Sequence, residues 1–483
     1  MKVIYIGGIV IYATLTGSLL AGEAENEVID KLVSAYGGSS LTELENYQIL
    51  TKYRTPATGQ SHSPELTEIG HSAISLLVET SSNKAVLDNW NENRGGTFQG
   101  TTIGKGEKAY TLNYQTNTYG EANSSDPKIF AGGTMRTSDT VLAFEANKAR
   151  EHATLSNDVS YMNRKHHVLT MPFPQSPDLN LYIDADTFLI SKMVRVNPQL
   201  GNLDYVFSDH QKTQGVTYAS SASFSIAGLP TLISTARTLK VNQVLSENHF
   251  QLPTSFTPEG ERVDSSELKA TKISDRVHHV GANGAFTLFI NTSMGTIGVG
   301  AYAGVTDRYH FYKNEAKNHK PMTYQVVTHH HSDHIGGTGE AIELGAKLVT
   351  VNENVEVIAD SISPTPNTSS FLTVDSQTTL GSGRAKVDIY EVSTIHANSF
   401  LVAYVPADKT IFLADHFGSP FATGTPSANQ STVDMLAALD ELKLDVKKIT
   451  TAHNARVFTM KEMRKSVADF TPTSCLANRP VCG

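Results

Sequence analysis

The feature that most constrains this chain is a run of ten residues, Thr328-His329-His330-His331-Ser332-Asp333-His334-Ile335-Gly336-Gly337, entered from the apolar stretch Tyr324-Gln325-Val326-Val327. His329 and His331 stand two apart, so on extended backbone they project to the same side. The glycine pair marks a sharp turn into a helix, and Asp333 and His334 come just before it. Three imidazoles and a carboxylate at the carboxyl end of a buried strand make a metal site. Neutral ring nitrogens and carboxylate oxygens suit zinc or iron and need no thiolate. A surface histidine tag would lack both the apolar strand leading in and the glycines leading out.

Composition limits what surrounds that run. With 483 residues, 39% hydrophobic and 18% charged, the chain is long enough for two or three domains and too apolar to be disordered throughout. Its 2 cysteines exclude a disulfide scaffold and a Cys-rich zinc module. Lys plus Arg number 39 against 48 Asp plus Glu, a net charge of -9, so nucleic acid is not an expected partner.

After Lys2 the stretch Val3 to Ala21 is apolar, and small residues Gly22 and Ala24 precede a polar sequence. This is signal-peptide architecture over residues 1–24, with cleavage after Ala24, or after Ala21 or Gly22. A retained anchor is the competing reading, since about 19 apolar residues can just span a bilayer. Tyr5, Tyr12, Thr14 and Thr16 weigh against it. The mature protein is therefore expected to be exported, periplasmic or extracellular, with no stable membrane insertion. In an oxidising compartment Cys475 and Cys482 should pair within a tail of residues 471–483.

Residues 25–252 read as a β-rich domain. Short alternating runs such as Asn46–Thr51, Leu181–Asp184 and Lys192–Val196 signal half-buried antiparallel strands. A helix is expected over Glu27–Tyr36, stopped by Gly37-Gly38. Pro253, Pro258 and Gly260 within a polar stretch suggest a linker at 253–269. Beyond it, over 270–470, strands at Phe286–Ile290, Ile297–Val299 and Tyr324–Thr328 alternate with helical patterns at Asp307–Asn318 and around Val433–Leu442, before a strand at Lys448–Thr450. That is α/β texture.

The histidine run resembles the metallo-β-lactamase fold superfamily, and the likeness extends over about residues 270–470. It implies an α/β catalytic domain, an αββα sandwich, preceded here by the mainly antiparallel β domain. It also implies further ligands: a later His in a strand-end loop, an Asp after an apolar strand, and a last His after a helix and strand. His396 lies 62 residues after His334, Asp415 follows 19 on and His453 another 38 on, in that order. By resemblance, His329, His331 and His396 hold one ion, Asp333, His334 and His453 a second, and Asp415 bridges both. Two divalent cations, zinc being the expectation, would ionise a bridging water that attacks a small-molecule substrate, with Asp333 orienting it as the catalytic carboxylate. Ala414 stands where many relatives have Gly, and Thr451-Ala452-His453-Asn454 where Pro-Gly-His-Gly is common; neither change removes a ligand.

With Asp415 at the bridging position and no cysteine near, the site is more similar to lactonase, thioesterase or phosphodiesterase relatives than to thiolate-using lactamases. His331 stands where flavo-diiron relatives carry Glu, which argues against redox chemistry. The expectation is hydrolysis of a small ester or lactone, with phosphodiester, sulfate ester and β-lactam as alternatives. Residues 181–218 resemble the curved-sheet domain of lipoprotein-sorting carriers, so the competing class is a metal-containing, apolar-ligand binding protein without turnover. An antiparallel scaffold or lid explains the same strands. Nothing in the sequence specifies an oligomeric state.

Other polar residues have simpler explanations. His330 should point away from its neighbours, to solvent or a supporting contact. His416 suits a packed loop, and Asn398 and Ser399 local turn bonding. His278 and His279 lie on a strand without a motif, and His166 and His167 read as surface.

Overall fold

A computed structural model describes residues 22–482 except 199, 473, 474, 476 and 478. Most of the expected signal peptide, residues 1–21, lies outside the described residues. Among the described residues no helix is long and apolar enough to cross a membrane.

The chain forms two compact units. One comprises residues 22–45, 131–228 and 239–242; the other comprises 46–130, 229–238 and 243–482. Residues 46–130, which sequence texture groups with 131–252, thus share a unit with 270–470.

In the first unit, strands Thr154–Tyr161, Arg164–Met171, Leu179–Asp184, Ile190–Asn197, Gly201–Thr213 and Val216–Ile226 follow one another as an antiparallel meander. Alternation is visible in burial: Leu179, Leu181 and Ile183 are each fully buried on one face. Helix Glu23–Tyr36 starts four residues earlier than expected and ends where Gly37 and Gly38 take φ of 129° and 57°. Tyr36 donates its hydroxyl proton to Asp139 at 2.9 Å, on the buried helix Asp139–Lys148, which periodicity did not reveal. Its burial on nearly every side erases the amphipathic signal. His166 corrects the surface reading. It is 1% exposed, with its ring nitrogens 3.0 Å from the Arg164 carbonyl oxygen and the Ser191 hydroxyl, because strand alternation turns it inward while His167 faces out to Asp158.

The second unit carries three sheets. Strands Asn46–Pro56, Ile69–Glu79, Lys84–Asn93, Gly96–Lys105, Ala109–Asn113 and Thr118–Glu121 form an antiparallel meander. Its first hairpin pairs Pro56 with Ile69, leaving residues 57–68 as a long loop. The next sheet runs Lys269–Lys272, Val277–Ala282, Ala285–Thr292, Gly295–Val299, Met322–Val326, Lys347–Val351, Phe371–Val374; the last contains Gln377–Leu380, Val387–Val392, Phe400–Val405, Thr410–Phe412, Lys448–Thr450 and Phe458–Thr459. These two sheets share one core, in which Leu288, Ile290, Val299 and Val326 meet Ile389, Val402, Val405 and Phe412.

Helices Val305–Glu315, Thr338–Glu343 and Val355–Asp360 cover the outer face of the first of this pair, on Val280, Phe289 and Leu348. Helices Gln430–Glu441 and Met460–Ala468 bring Met435, Leu439 and Met463 onto the other. The order is helix, sheet, sheet, helix, the αββα sandwich expected. Each large apolar side chain buried here contributes about 1.5–3 kcal/mol, so the sandwich is a rigid platform for whatever its strand ends carry.

The tail docks on the meander. Cys475 and Cys482 are disulfide-bonded, as expected, with Cα atoms 5.9 Å apart. Arg479 donates to Asp88 at 2.8 Å, and the Thr101 hydroxyl donates to the same carboxylate at 2.6 Å.

Candidate metal centre

Every side chain of the site belongs to the second unit and projects from a strand end or the loop after it. Strand Met322–Val326 delivers the 328–334 segment. Extended backbone persists as far as His331 (φ -59°, ψ 142°), after which Ser332–Ile335 makes one helical turn. His396 precedes strand Phe400–Val405, Asp415 follows Thr410–Phe412, and His453 follows Lys448–Thr450. Side chains up to 124 residues apart (329 to 453) therefore meet at one end of the sandwich.

Donor atoms of His329, His331, His396 and Asp415 all lie within 4.8 Å of one another, and so do those of Asp333, His334 and His453. Asp415 faces both groups. Its Oδ2 is 2.9 Å from His396 Nε2 and 3.5 Å from His329 Nε2, while its Oδ1 is 2.8 Å from His334 Nε2 and 3.2 Å from His453 Nε2. The preceding Ala414 has φ 44°, a left-handed conformation that costs a residue with a Cβ about 1–2 kcal/mol and aims the carboxylate inward.

Supporting contacts decide which ring nitrogens are free. His331 donates from Nε2 to the Ser61 carbonyl oxygen at 3.0 Å, leaving its buried Nδ1 without a hydrogen-bond partner. His453 donates from Nδ1 to the Gly284 carbonyl oxygen at 3.0 Å, which turns Nε2 to the cluster. Such outer contacts fix tautomer and ring angle in metal sites. His329 Nε2 and His396 Nε2 face one another at 3.1 Å, and the Phe400 ring stacks on His329. A buried nitrogen with no partner, and two imidazole nitrogens pointed at each other, are costly in an apolar core unless a cation lies among them. The donor set therefore fits divalent metal ions.

Protonation agrees with that. Burial, then the charge of His334, pushes His329 well below the ordinary histidine range. Burial and His396 bring His331 down to about 3. Burial pushes the Asp415 carboxyl up, but the charge and hydrogen bonds of His334, with those of His396 and His453, outweigh it and hold the group well below the usual carboxylate range. For Asp333 burial is likewise outweighed, by His334 and by a hydrogen bond from Gln60. For His453 burial pulls down, and the hydrogen bond to Asp415 more than restores it. Neutral His329 and His331 and ionised Asp333 and Asp415 are in the states that bind cations, and His453 would give up a proton to do so.

Three residues at the site carry no motif. Gln60 donates to Asp333 Oδ1 at 2.9 Å and to the Ser332 hydroxyl at 3.2 Å. Ser61 supplies the carbonyl described above. Both lie in loop 57–68, which is held by Ser332 N donating to the Gly59 carbonyl and Asn398 N to that of His62. The third, Tyr302, lies 2.9 Å from Asp333 and 2.8 Å from His334. Burial, then the Asp415 and Asp333 charges, keeps its phenol protonated far above the usual tyrosine range. The only sequence signal for Tyr302 is an aromatic between small residues at a strand end, Gly300-Ala301-Tyr302-Ala303-Gly304.

His330 corrects the solvent-facing option. It is 3% exposed and donates from Nε2 to the same Ser61 oxygen at 2.8 Å, because loop 57–68 covers the face it turns to. His416 is fully buried, with Nε2 2.9 Å from the Thr394 hydroxyl, a packed loop residue. Asn398 and Ser399 donate to Glu353. His279 is buried and donates to the Thr451 carbonyl oxygen at 2.9 Å; His278 is buried beside Tyr312.

Part of the donor cluster lines a cleft of about 570 Å³. His331, His396 and Asp415 line it together with Gln60, Glu68, Glu92, Arg94 and Phe98 from the meander. Arg94 is already paired with Glu68, Nε to Oε1 at 2.6 Å.

No protein-family model matches the chain, and neither does any curated protein. Among solved structures it is similar to a metallo-β-lactamase from Pontibacter korlensis, at 19% identity over 44% of this chain and 100% of that one, with a TM-score of 0.34. It is also similar to an archaeal metallo-β-lactamase superfamily protein from Sulfolobus tokodaii, at 16% identity over 38% and 80% of the two chains, with a TM-score of 0.31.

Proposed function

We propose that this chain is an exported metal-dependent hydrolase that acts on a small neutral ester or lactone in the 570 Å³ cleft. The observation that carries the reading is the placement of Asp415, one carboxylate oxygen toward His329 and His396 and the other toward His334 and His453. His329, His331 and His396 would hold one divalent ion, Asp333, His334 and His453 a second, and Asp415 would touch both. Zinc is the preferred identity, from nitrogen and oxygen donors without thiolate. Such ions supply Lewis acidity toward an acyl oxygen and lower the pKa of water to near 7.

The rest is work for the chain's own groups. Asp333, ionised and steered by Gln60 through Oδ1, would orient a water beside the donor cluster and take up its proton. Phe98 on the wall gives an acyl or alkyl group an apolar surface. The pairing of Arg94 with Glu68, and the added negative charge of Glu92, favour a neutral substrate over a phosphodiester or sulfate ester.

The test joins metal analysis to a panel of chromogenic ester, lactone, phosphodiester and sulfate ester substrates. Two metals per chain, with ester or lactone turnover abolished in His331→Ala, support the proposal. Full metal content with no turnover on any substrate would favour the ligand-carrier alternative.

A further inference from the structure

The cleft beside the donor cluster adjoins two further cavities of the same unit. Arg94, Ile395 and Asn429 line both the cleft and a cavity of about 690 Å³. Asn429 and the ring of Phe98 line both the cleft and a cavity of about 470 Å³. Gln115, Thr116 and Ser427 are shared by these two cavities. Together the three make a groove walled by the meander on one side and by segment 418–430 on the other. Cavities of this size each hold a drug-sized ligand, so the groove has room for a molecule much longer than the ester bond under attack.

Its lining narrows what that molecule is. Among the described residues, no acidic or basic side chain lines the 470 Å³ cavity. The 690 Å³ cavity carries Glu92, Arg94 and Asp469, of which Arg94 is paired with Glu68 and Asp469 with Lys465. An anionic polymer therefore meets no unpaired cation there. A long acyl chain would strip water from the amides and hydroxyls of Gln115, Thr116, Ser427 and Asn429 and return no hydrogen bonds. A peptide commonly binds by extending a sheet edge, but Thr118, on the wall of the 470 Å³ cavity, is already paired with Thr257.

A neutral sugar chain meets none of these objections. Side-chain amides both donate and accept hydrogen bonds, as sugar hydroxyls do. The C–H face of a pyranose is apolar and suits an aromatic ring such as those of Phe98, Tyr114 and Phe421. At the cleft itself, Ile69 and Phe98 are 50% and 43% exposed and give a small acyl group an apolar surface.

We propose that the substrate is a small acyl ester of a neutral, elongated carbohydrate, with the ester at the donor cluster and the sugar chain along this groove. The inference rests on the ester-hydrolase reading above. It keeps the acyl group small and enlarges the alcohol to which it is joined. Hydrolysis adds water across the acyl carbon–oxygen bond, releases the carboxylate and a proton, and returns a hydroxyl to the sugar.

The test compares para-nitrophenyl acetate and palmitate with acetyl esters of neutral xylo-, gluco- and manno-hexaoses and of the matching monosaccharides. Calorimetry measures binding of the unacetylated hexaoses. The proteins are wild type, Ser427→Trp and Gln115→Trp, which fill the groove from its two walls at exposed positions. The expected result is a kcat/KM for at least one hexaose ester about tenfold or more above that for its monosaccharide ester. Each tryptophan should erase that gain and leave para-nitrophenyl acetate hydrolysis unchanged, and the free hexaose should bind wild type but not the variants. Absence of binding by all three hexaoses overturns the proposal. So does a length preference that survives both variants, or a preference for palmitate over acetate that both variants abolish, since the groove would then hold an acyl chain. Were one variant to misfold, the other and the wild-type length dependence decide. Hexaose binding that the variants lose, with no turnover of any ester, keeps the sugar groove and refutes instead the hydrolase reading.

Discussion

Replacing Gln60 by Ala tests whether the loop between the first two strands of the meander belongs to the working site. The Gln60 amide gives Asp333 Oδ1 a hydrogen bond at 2.9 Å and Ser332 a second at 3.2 Å. A hydrogen bond to an ionised group contributes about 1.5–3 kcal/mol when water cannot replace it. The Asp333 side chain is 42% exposed, so water replaces part of the loss and about 1 kcal/mol remains. That is about fivefold at room temperature. Zinc competition should show the second equivalent about fivefold weaker and the first unchanged, and turnover of the best ester should fall by a similar factor with KM little altered. Gln60→Glu should not restore the effect, because a second carboxylate would face Asp333. Equal affinity for both equivalents in Gln60→Ala and wild type would refute the reasoning and reduce loop 57–68 to packing.

Three further outcomes follow from the same geometry. Asp415→Asn should weaken the second metal and lower turnover by at least about 100-fold, with an unchanged circular dichroism spectrum; an unaltered rate would remove Asp415 from the site. Replacing Cys475 and Cys482 together by Ser should cost about 2 kcal/mol in denaturant unfolding and leave turnover within about twofold. In metal-free protein, His279, brought down to about 4 chiefly by burial, must stay neutral in the fold although the unfolded chain protonates near 6.5. The stability it supports is complete above pH 6.5 and is lost as pH falls toward 4, about 3 kcal/mol in all; His279→Phe should show a correspondingly shallower acid limb.

The parts of the site legible in sequence are those whose chemistry is local. His329, His331, Asp333 and His334 declare themselves by spacing on a strand and turn, and His396, Asp415 and His453 by resemblance, each beside an apolar run that became a strand end. Gln60, Ser61 and Tyr302 are invisible by the same logic. A glutamine, a backbone carbonyl and an aromatic residue have no metal-type signature, and contacts such as Gln60 to Asp333 span 273 residues. His166 is buried where surface is expected, and for His330 the supporting contact holds rather than solvent, because exposure depends on what covers a face, which alternation alone does not specify. The helix at 139–148 escaped for a related reason: burial all round leaves no stripe to detect.

Loop 57–68 also sets an order of events. Closing a contact across 273 residues confines a great length of chain, and contacts of such range slow folding. His331 receives its Ser61 acceptor only when the first hairpin has met the sandwich. A chain in which that contact is open thus carries all seven donors without the tautomer that directs one of them inward.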